Sequence, residues 1–202
     1  IRNSGLPEAF AQMVMQGRSL DAIVAMQTGN NIDSTRHDEI LKAALRLAES
    51  CNYEASHTHQ VTRLALQLFD ELKPLHNIGP EGRFWLEAGS ILHDIGWIKG
   101  QKGHHKTALR TILNTRLLPL NNRERLIAGS IARYHRRAEP SKKHSHFAAL
   151  KPAERDMVKT LAAILRTVDG MDRTHQSVVK NLSCEITADQ ICIKCLVDRP
   201  SE

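Results

Sequence analysis

The sequence predicts a mostly α-helical bundle closed by a small C-terminal β-hairpin. Apolar residues recur at three- and four-residue spacing in several long stretches between residues 35 and 169, the period of a helix that buries one face. After Cys184 the period falls to two, as on a strand with one covered side. Glycine, proline and asparagine clusters separate these stretches rather than interrupting them.

Residues 6 to 28 read as two short helices, the first carrying Leu6, Phe10, Met13 and Val14, the second Leu20, Ile23 and Val24. Gly17-Arg18-Ser19 breaks them and places Ser19 as a cap. Together they form a lead over 1–32. Asp33-Ser34 precedes a helix with Ile40, Leu41, Ala44, Leu45 and Ala48 on one side, and Asn52 to Leu72 is strongly periodic through Val61, Leu64, Ala65, Leu68 and Phe69. Pro74 and Gly79-Pro80 punctuate the next turn, and 83 to 94 reads as a helix running up to Gly96. His104 to Asn114 and Arg123 to His135 read as two more, separated around Pro119. Arg136 to Pro152 is basic and weakly periodic, hence a surface loop; Ala153 to Asp169 is amphipathic. The strand–turn–strand pattern centres on Thr187-Ala188-Asp189-Gln190. These elements predict a helical domain over 33–178 and a hairpin extension over 179–202.

Hydrophobic content of 41% with 25% charged residues is ordinary for a water-soluble domain. A net charge of +6 favours anionic partners such as phosphates. Aromatic residues make up only 4%, too few for base-stacking platforms, which disfavours nucleic acid. No apolar run is long enough to span a bilayer and no signal peptide is visible. Cys51, Cys184, Cys192 and Cys195 form no CxxC pair, so free thiols in a reducing, cytoplasmic setting are expected. The opening at Ile1 rather than Met fits a piece of a longer chain. Of the eleven histidines, His37, His76, His144 and His175 lie among polar residues and are expected to be solvated.

Other histidines fall where water is expected to be scarce. His93-Asp94 sits inside Ile91-Leu92-His93-Asp94-Ile95-Gly96, and an imidazole and a carboxylate are expensive to bury unless something satisfies them. His57 lies one helical turn before Val61, on an adjacent part of the inward face. Asp169 ends an apolar helix, facing the negative end of its dipole, where a carboxylate needs a compensating cation. With His105 and His135 these make a candidate ligand set for one or two divalent ions. Mixed imidazole and carboxylate ligation suits Mn, Fe, Zn, Ni or Co and leaves Mg open. A single histidine of this kind is more often a hydrogen-bonded core residue; the weight lies in the combination.

Taken together, His57-Thr58-His59-Gln60-Val61, Ile91 to Gly96, and Leu165-Arg166-Thr167-Val168-Asp169-Gly170-Met171-Asp172 resemble the H…HD…D pattern of the HD superfamily of metal-dependent phosphohydrolases. Gly103-His104-His105-Lys106 and Ala132-Arg133-Tyr134-His135-Arg136-Arg137 extend the resemblance to the C-terminal HD domain of the exopolyphosphatase/guanosine pentaphosphate phosphatase family. It covers roughly residues 35 to 178. The resemblance implies an HD-domain helical bundle with core ligands His57, His93, Asp94 and Asp169, Asp94 bridging two ions, and His105 and His135 as additional ligands. Of the neighbouring His104 and His105, the spacing to Ile112-Leu113 favours His105.

The sequence departs from parts of that pattern. No block resembles the actin-like ATPase-type domains that carry phosphatase chemistry in long family members. Trp97 stands where the superfamily's cyclic-dinucleotide phosphodiesterases carry lysine, and no GYP-like sequence follows His135. No acidic residue follows the doublet within a turn to serve as a general acid.

The resulting expectation is hydrolysis of a small phosphorylated anion, a nucleotide or polyphosphate-like ester or anhydride, by cation-activated water. Asp94 would sit at the reaction centre, with Lys106 and Arg136, each close behind a proposed ligand, contacting phosphate. The alternative is a non-catalytic, metal-containing regulatory module that binds a phosphorylated ligand or a protein partner. Homo-oligomerisation through the lead or the hairpin is a further expectation.

Overall fold

Helix formation follows the apolar periods closely. The computed structural model describes residues 34–100 and 102–198, so the lead over 1–32 lies outside the described residues. The helices are α1 Ser34–Ser50, α2 Ala55–Glu71, α3 Lys73–His76, α4 Pro80–Ile91, α5 His104–Asn114, α6 Asn122–Tyr134, α7 Ser145–Ala148 and α8 Pro152–Met171. A 3-10 helix, Ile95–Lys99, joins α4 to α5, and strands β1 Val179–Ile186 and β2 Ile191–Val197 close the chain.

Helix α4 is the hub, packed against α1, α2, α6 and α8. It serves this role because Phe84, Trp85, Leu86, Ala88 and Ile91 make it apolar almost all round. Gly89 lets α6 approach closely, since a Cβ there would stand 2.5 Å from Ile131 Cγ2. Leu64 and Leu68 on α2, and Leu72 just past its end, are fully buried, each worth roughly 1.5–3 kcal/mol in transfer terms. Asn121 caps α6 by accepting from Glu124 N, while the Glu124 carboxylate accepts from Asn121 N. The two strands pair antiparallel, with Cys184 opposite Ile193 and Ile186 opposite Ile191. Val179 and Leu182 are buried, and α2 ties β1 down: Gln60 and Arg63 donate to Val179 O, Gln67 donates to Leu182 O, and Glu71 accepts from Cys184 N at 2.7 Å.

Several sequence expectations need correction. The fourth helix starts earlier, at Pro80, and stops at Ile91, so His93 and Asp94 occupy the turn before the 3-10 segment rather than a helical end. Asn52 adopts a left-handed φ of 53°, which delays α2 to Ala55. The basic stretch after Tyr134 is anchored rather than loose: α7 forms within it, and Phe147 and Leu150 are buried. Two anchors in so short a stretch leave no readable period. His76 is buried, bonded to Phe69 O and accepting from Ile78 N. His37 stacks on Phe84 at 3.8 Å. The first strand runs from Val179, ahead of the alternation that starts at Cys184 but within the span expected for the hairpin extension. Among the described residues no helix is long and apolar enough to cross a membrane.

Candidate metal centre

Five segments converge on one polar point inside the bundle. His57 comes from the first turn of α2, His93 and Asp94 from the turn after α4, His104 from the start of α5, His135 from the end of α6, and Asp169 from the last turn of α8. The turn reaches α5 because Gly96 carries no side chain: a Cβ there would lie 1.9 Å from His104 O. The backbone of the 3-10 segment can therefore rest directly on the first turn of α5.

The ligand atoms form two adjoining triads. His57, His93 and Asp169 make one; Asp94, His104 and His135 make the other, with the atoms of each within 4.8 Å of one another. Asp94 joins them. Its Oδ2 lies 3.8 Å from His57 Nε2 and 3.5 Å from His93 Nε2, while its Oδ1 lies 3.3 Å from His104 Nε2 and 3.5 Å from His135 Nε2. Asp169 Oδ1 is 3.3 Å from His57 Nε2 and 3.6 Å from His93 Nε2. The rings form a buried floor, and the side chains of Asp94 and Asp169, 12% and 21% exposed, form the side that meets solvent. Trp97, at the exposed rim, stacks on His104 at 5.2 Å.

Three of the rings are oriented from behind. His93 Nδ1 lies 2.6 Å from Ser90 O, His135 Nδ1 lies 2.6 Å from Ala132 O, and His57 Nδ1 lies 2.9 Å from Asp172 Oδ2. These acceptors place the proton on Nδ1 and leave each Nε2 lone pair pointing inward when the ring is neutral. His57 Nε2, His93 Nε2 and Asp94 Oδ1 are buried without a hydrogen-bond partner. A mixed set of imidazole nitrogens and carboxylate oxygens, several of them orphaned, has the donor chemistry of a divalent-cation site.

The charges respond to this crowding. Burial alone would lower His93, but Asp94 and Asp169 outweigh it and raise the ring to about 9. Burial would raise both carboxyls, yet His93 and His135 beside Asp94, and His57 and His93 beside Asp169, hold them below the usual carboxylate range. Desolvation pushes His135 down to about 4, helped by the charge on His93.

Of the residues singled out from the sequence, His57, His93, Asp94, His135 and Asp169 come together. His105 does not, and His104 stands in its place. His104 shares a face with Ala108 and Ile112 at i, i+4 and i+8, the most deeply buried stripe of α5. The His105 ring instead meets His104 edge-on at 5.4 Å, and its Nδ1 has no partner. Lys106 and Arg136 are exposed, and neither forms an ion pair among the described residues. Asp172, one helical turn beyond Asp169, has a role that the sequence pattern does not assign. It is buried, holds His57 and accepts from Ser177 N at 2.7 Å. His175, expected in solvent, stacks on His57 at 3.8 Å and pairs with Glu54. No local pattern marks it.

Among curated proteins, none matches this chain. The family model described as Ppx/GppA phosphatase, domain III, matches residues 31–198, which takes in all six converging side chains. Over that span the chain belongs to the Ppx/GppA phosphatase family, as its domain III.

Proposed function

We propose that this domain is a divalent-metal-dependent phosphohydrolase of the HD type, acting on a phosphate ester or anhydride at a two-ion centre. The observation that carries the reading is the pair of triads joined through Asp94, whose two oxygens face different imidazole pairs. His57, His93 and Asp169 would hold one ion, His104 and His135 the other, and Asp94 would span both. The backing of His57 by Asp172, and of His93 and His135 by backbone carbonyls, fixes ring orientation and ligand basicity as ligand-supporting groups do. The donor set favours Mn, Fe, Zn, Ni or Co, with Mg less well suited to so many nitrogens. Once bound, such ions supply Lewis acidity, polarising a phosphoryl oxygen and acidifying water.

The chain's own residues do the rest. The buried rings close the floor against bulk water, so a phosphorylated substrate would approach from the side of Asp94 and Asp169. Lys106 and Arg136, exposed beside His105 and His135 in sequence, have the length and charge to hold phosphoryl oxygens from the rim. A nucleotide or a short polyphosphate is the substrate class that the basic surroundings favour. The unit carrying the activity would be residues 33–178, braced by the hairpin of 179–202.

The test combines elemental analysis of protein purified without chelator with initial rates on nucleotides, polyphosphate and p-nitrophenyl phosphate. His93→Ala and Asp94→Ala should lose bound metal and reduce turnover by about 100-fold or more, with unchanged helical circular dichroism. Bound metal with no turnover on any substrate would instead support a non-catalytic binding module. Absence of metal after loading would remove both readings.

A further inference from the structure

The segment 172–177, between the end of α8 and β1, folds back over His57. The His175 ring lies parallel to the His57 ring, with centroids 3.8 Å apart and an interplanar angle of 5°. Its Nδ1 is 2.6 Å from Glu54 Oε2. Glu54 occupies the N-cap position of α2, yet its carboxylate makes no capping hydrogen bond and reaches His175 instead. Asp172 fastens the other end of the segment. One of its oxygens holds His57 Nδ1 at 2.9 Å, the other accepts from Ser177 N at 2.7 Å, and its carbonyl accepts from His175 N at 2.8 Å. His57 is thus gripped at its edge by Asp172 and on one face by His175.

This closure is kept against local preference. His175 and Ser177 adopt left-handed φ values of 57° and 52°, a conformation that is costly for residues with a side chain and persists where the surroundings over-determine it. Stability does not explain the arrangement: the His175 and Glu54 side chains are 32% and 55% exposed, and an exposed ion pair contributes little. What the stack does fix is His57, whose Nε2 is buried without a hydrogen-bond partner, 3.3 Å from Asp169 and 3.8 Å from Asp94. A hydrogen bond at Nδ1 holds one ring atom and leaves the plane free to tilt; a parallel stack fixes the plane, and the Nε2 lone pair lies in that plane. We propose that His175 is a positioning residue for one ion of the centre, setting the affinity of the His57–His93–Asp169 triad through the His57 ring. The inference rests on the two-ion reading above. The rings of His104 and His135 are braced differently, by their mutual stack at 5.3 Å and by Trp97, so the ion they would hold does not depend on His175.

Calorimetric titration of chelator-stripped protein with cobalt(II), followed in parallel by visible absorption, tests this. Wild type should take up two ions. His175→Asn suits the left-handed backbone and removes the ring. It should weaken one ion by roughly 10- to 100-fold, as loss of a ligand-supporting group does, and leave the other at its wild-type affinity. The absorption of the weakened ion should shift as its ligand field changes, a readout that a loss of packing elsewhere would not move. Glu54→Gln, at an exposed position, should act on the same ion to a smaller extent and keeps the test decisive if His175→Asn does not fold. Thr174→Ala, exposed on the same segment, is the control and should match wild type. Unchanged affinity for both ions in His175→Asn and Glu54→Gln would overturn the proposal and leave the two-ion reading standing. Equal weakening of both ions, with a lower melting temperature of the metal-free protein, would overturn it by making His175 a structural residue. A wild type that takes up no cobalt would remove the proposal together with the reading on which it rests.

Discussion

Glu124 and Asp94 are both carboxylates largely withdrawn from solvent, and the protein treats them in opposite ways. Glu124 is fully partnered: Arg36 NH1 and NH2 each donate at 2.8 Å, and Asn121 N donates at 2.8 Å. Glu154 repeats the arrangement with Lys151 N and Arg123. Asp94 instead stands among four imidazole nitrogens at 3.3–3.8 Å, and its Oδ1 forms no hydrogen bond. A polar group buried for stability acquires partners at hydrogen-bond distance. A cluster that crowds charge around a carboxylate oxygen left without a hydrogen bond disagrees with the rules of stability, and such local disagreement is characteristic of functional sites. Helix capping and the proposed ion binding draw on the same residue types, so the spacing of their atoms is what separates them.

Removing each carboxylate should break that symmetry most visibly. Glu124→Ala deletes half of a capping box and a bidentate pair with an arginine that is 38% exposed and so partly screened by solvent; a loss of about 1–2 kcal/mol is expected. Asp94→Ala in metal-free protein should change stability by no more than about 0.5 kcal/mol above pH 9, where His93 is neutral and neither a charged partner nor a hydrogen bond is lost. Urea denaturation of both variants measures the contrast. A loss at Asp94 as large as that at Glu124 would make the cluster a polar structural core.

The adjacent histidines of α5 sharpen the comparison within the centre itself. His104→Gln should reduce bound metal from two ions toward one and lower turnover by roughly 10- to 100-fold. His105→Gln should leave metal content unchanged. Elemental analysis of the two variants distinguishes the geometry from the sequence expectation; an equal effect would mean that α5 turns about its axis when metal binds.

The same pair shows where sequence reading stops. Helix periods exposed the bundle because burying one apolar face dominates the energetics, and the hairpin was visible through the switch to period two. The His93-Asp94 doublet stood out because two ionisable groups interrupt an apolar run. Choosing between His104 and His105 required the start of α5 to within one residue, and helix termini are the least determined feature of a periodic pattern. Here the first turn of α5 rests against Gly96, whose missing side chain leaves room for the His104 carbonyl, a contact that no apolar period encodes. The environments of Asp172 and His175 were likewise hidden, since their contacts with His57 and Glu54 join segments more than a hundred residues apart.

Acidity gives the smallest effect, but its sign differs between the two regions. At Glu124 burial alone would raise the carboxyl, while Arg36 and Asn121 hold it below its usual value. A depressed folded pKa contributes stability above the unfolded pKa, and that contribution is lost as pH falls through the acid range. At His93, burial lowers the ring but Asp94 and Asp169 raise it to about 9. A raised folded pKa contributes stability that is complete below the unfolded value near 6.5 and lost as pH climbs through 9. Metal-free protein should therefore melt lower at pH 9 than at pH 6.5, by on the order of a few degrees for a domain this size. His93→Gln should flatten that slope and also shallow the acid limb, because His93 helps hold Asp94 and Asp169 below their usual range, whereas Glu124→Gln should weaken the acid limb alone. Thermal melts followed by circular dichroism at pH 4, 6.5 and 9 measure both limbs. A wild-type alkaline slope that survives His93→Gln would show that the carboxylates hold no extra proton in the cluster, leaving its rings neutral before any ion arrives.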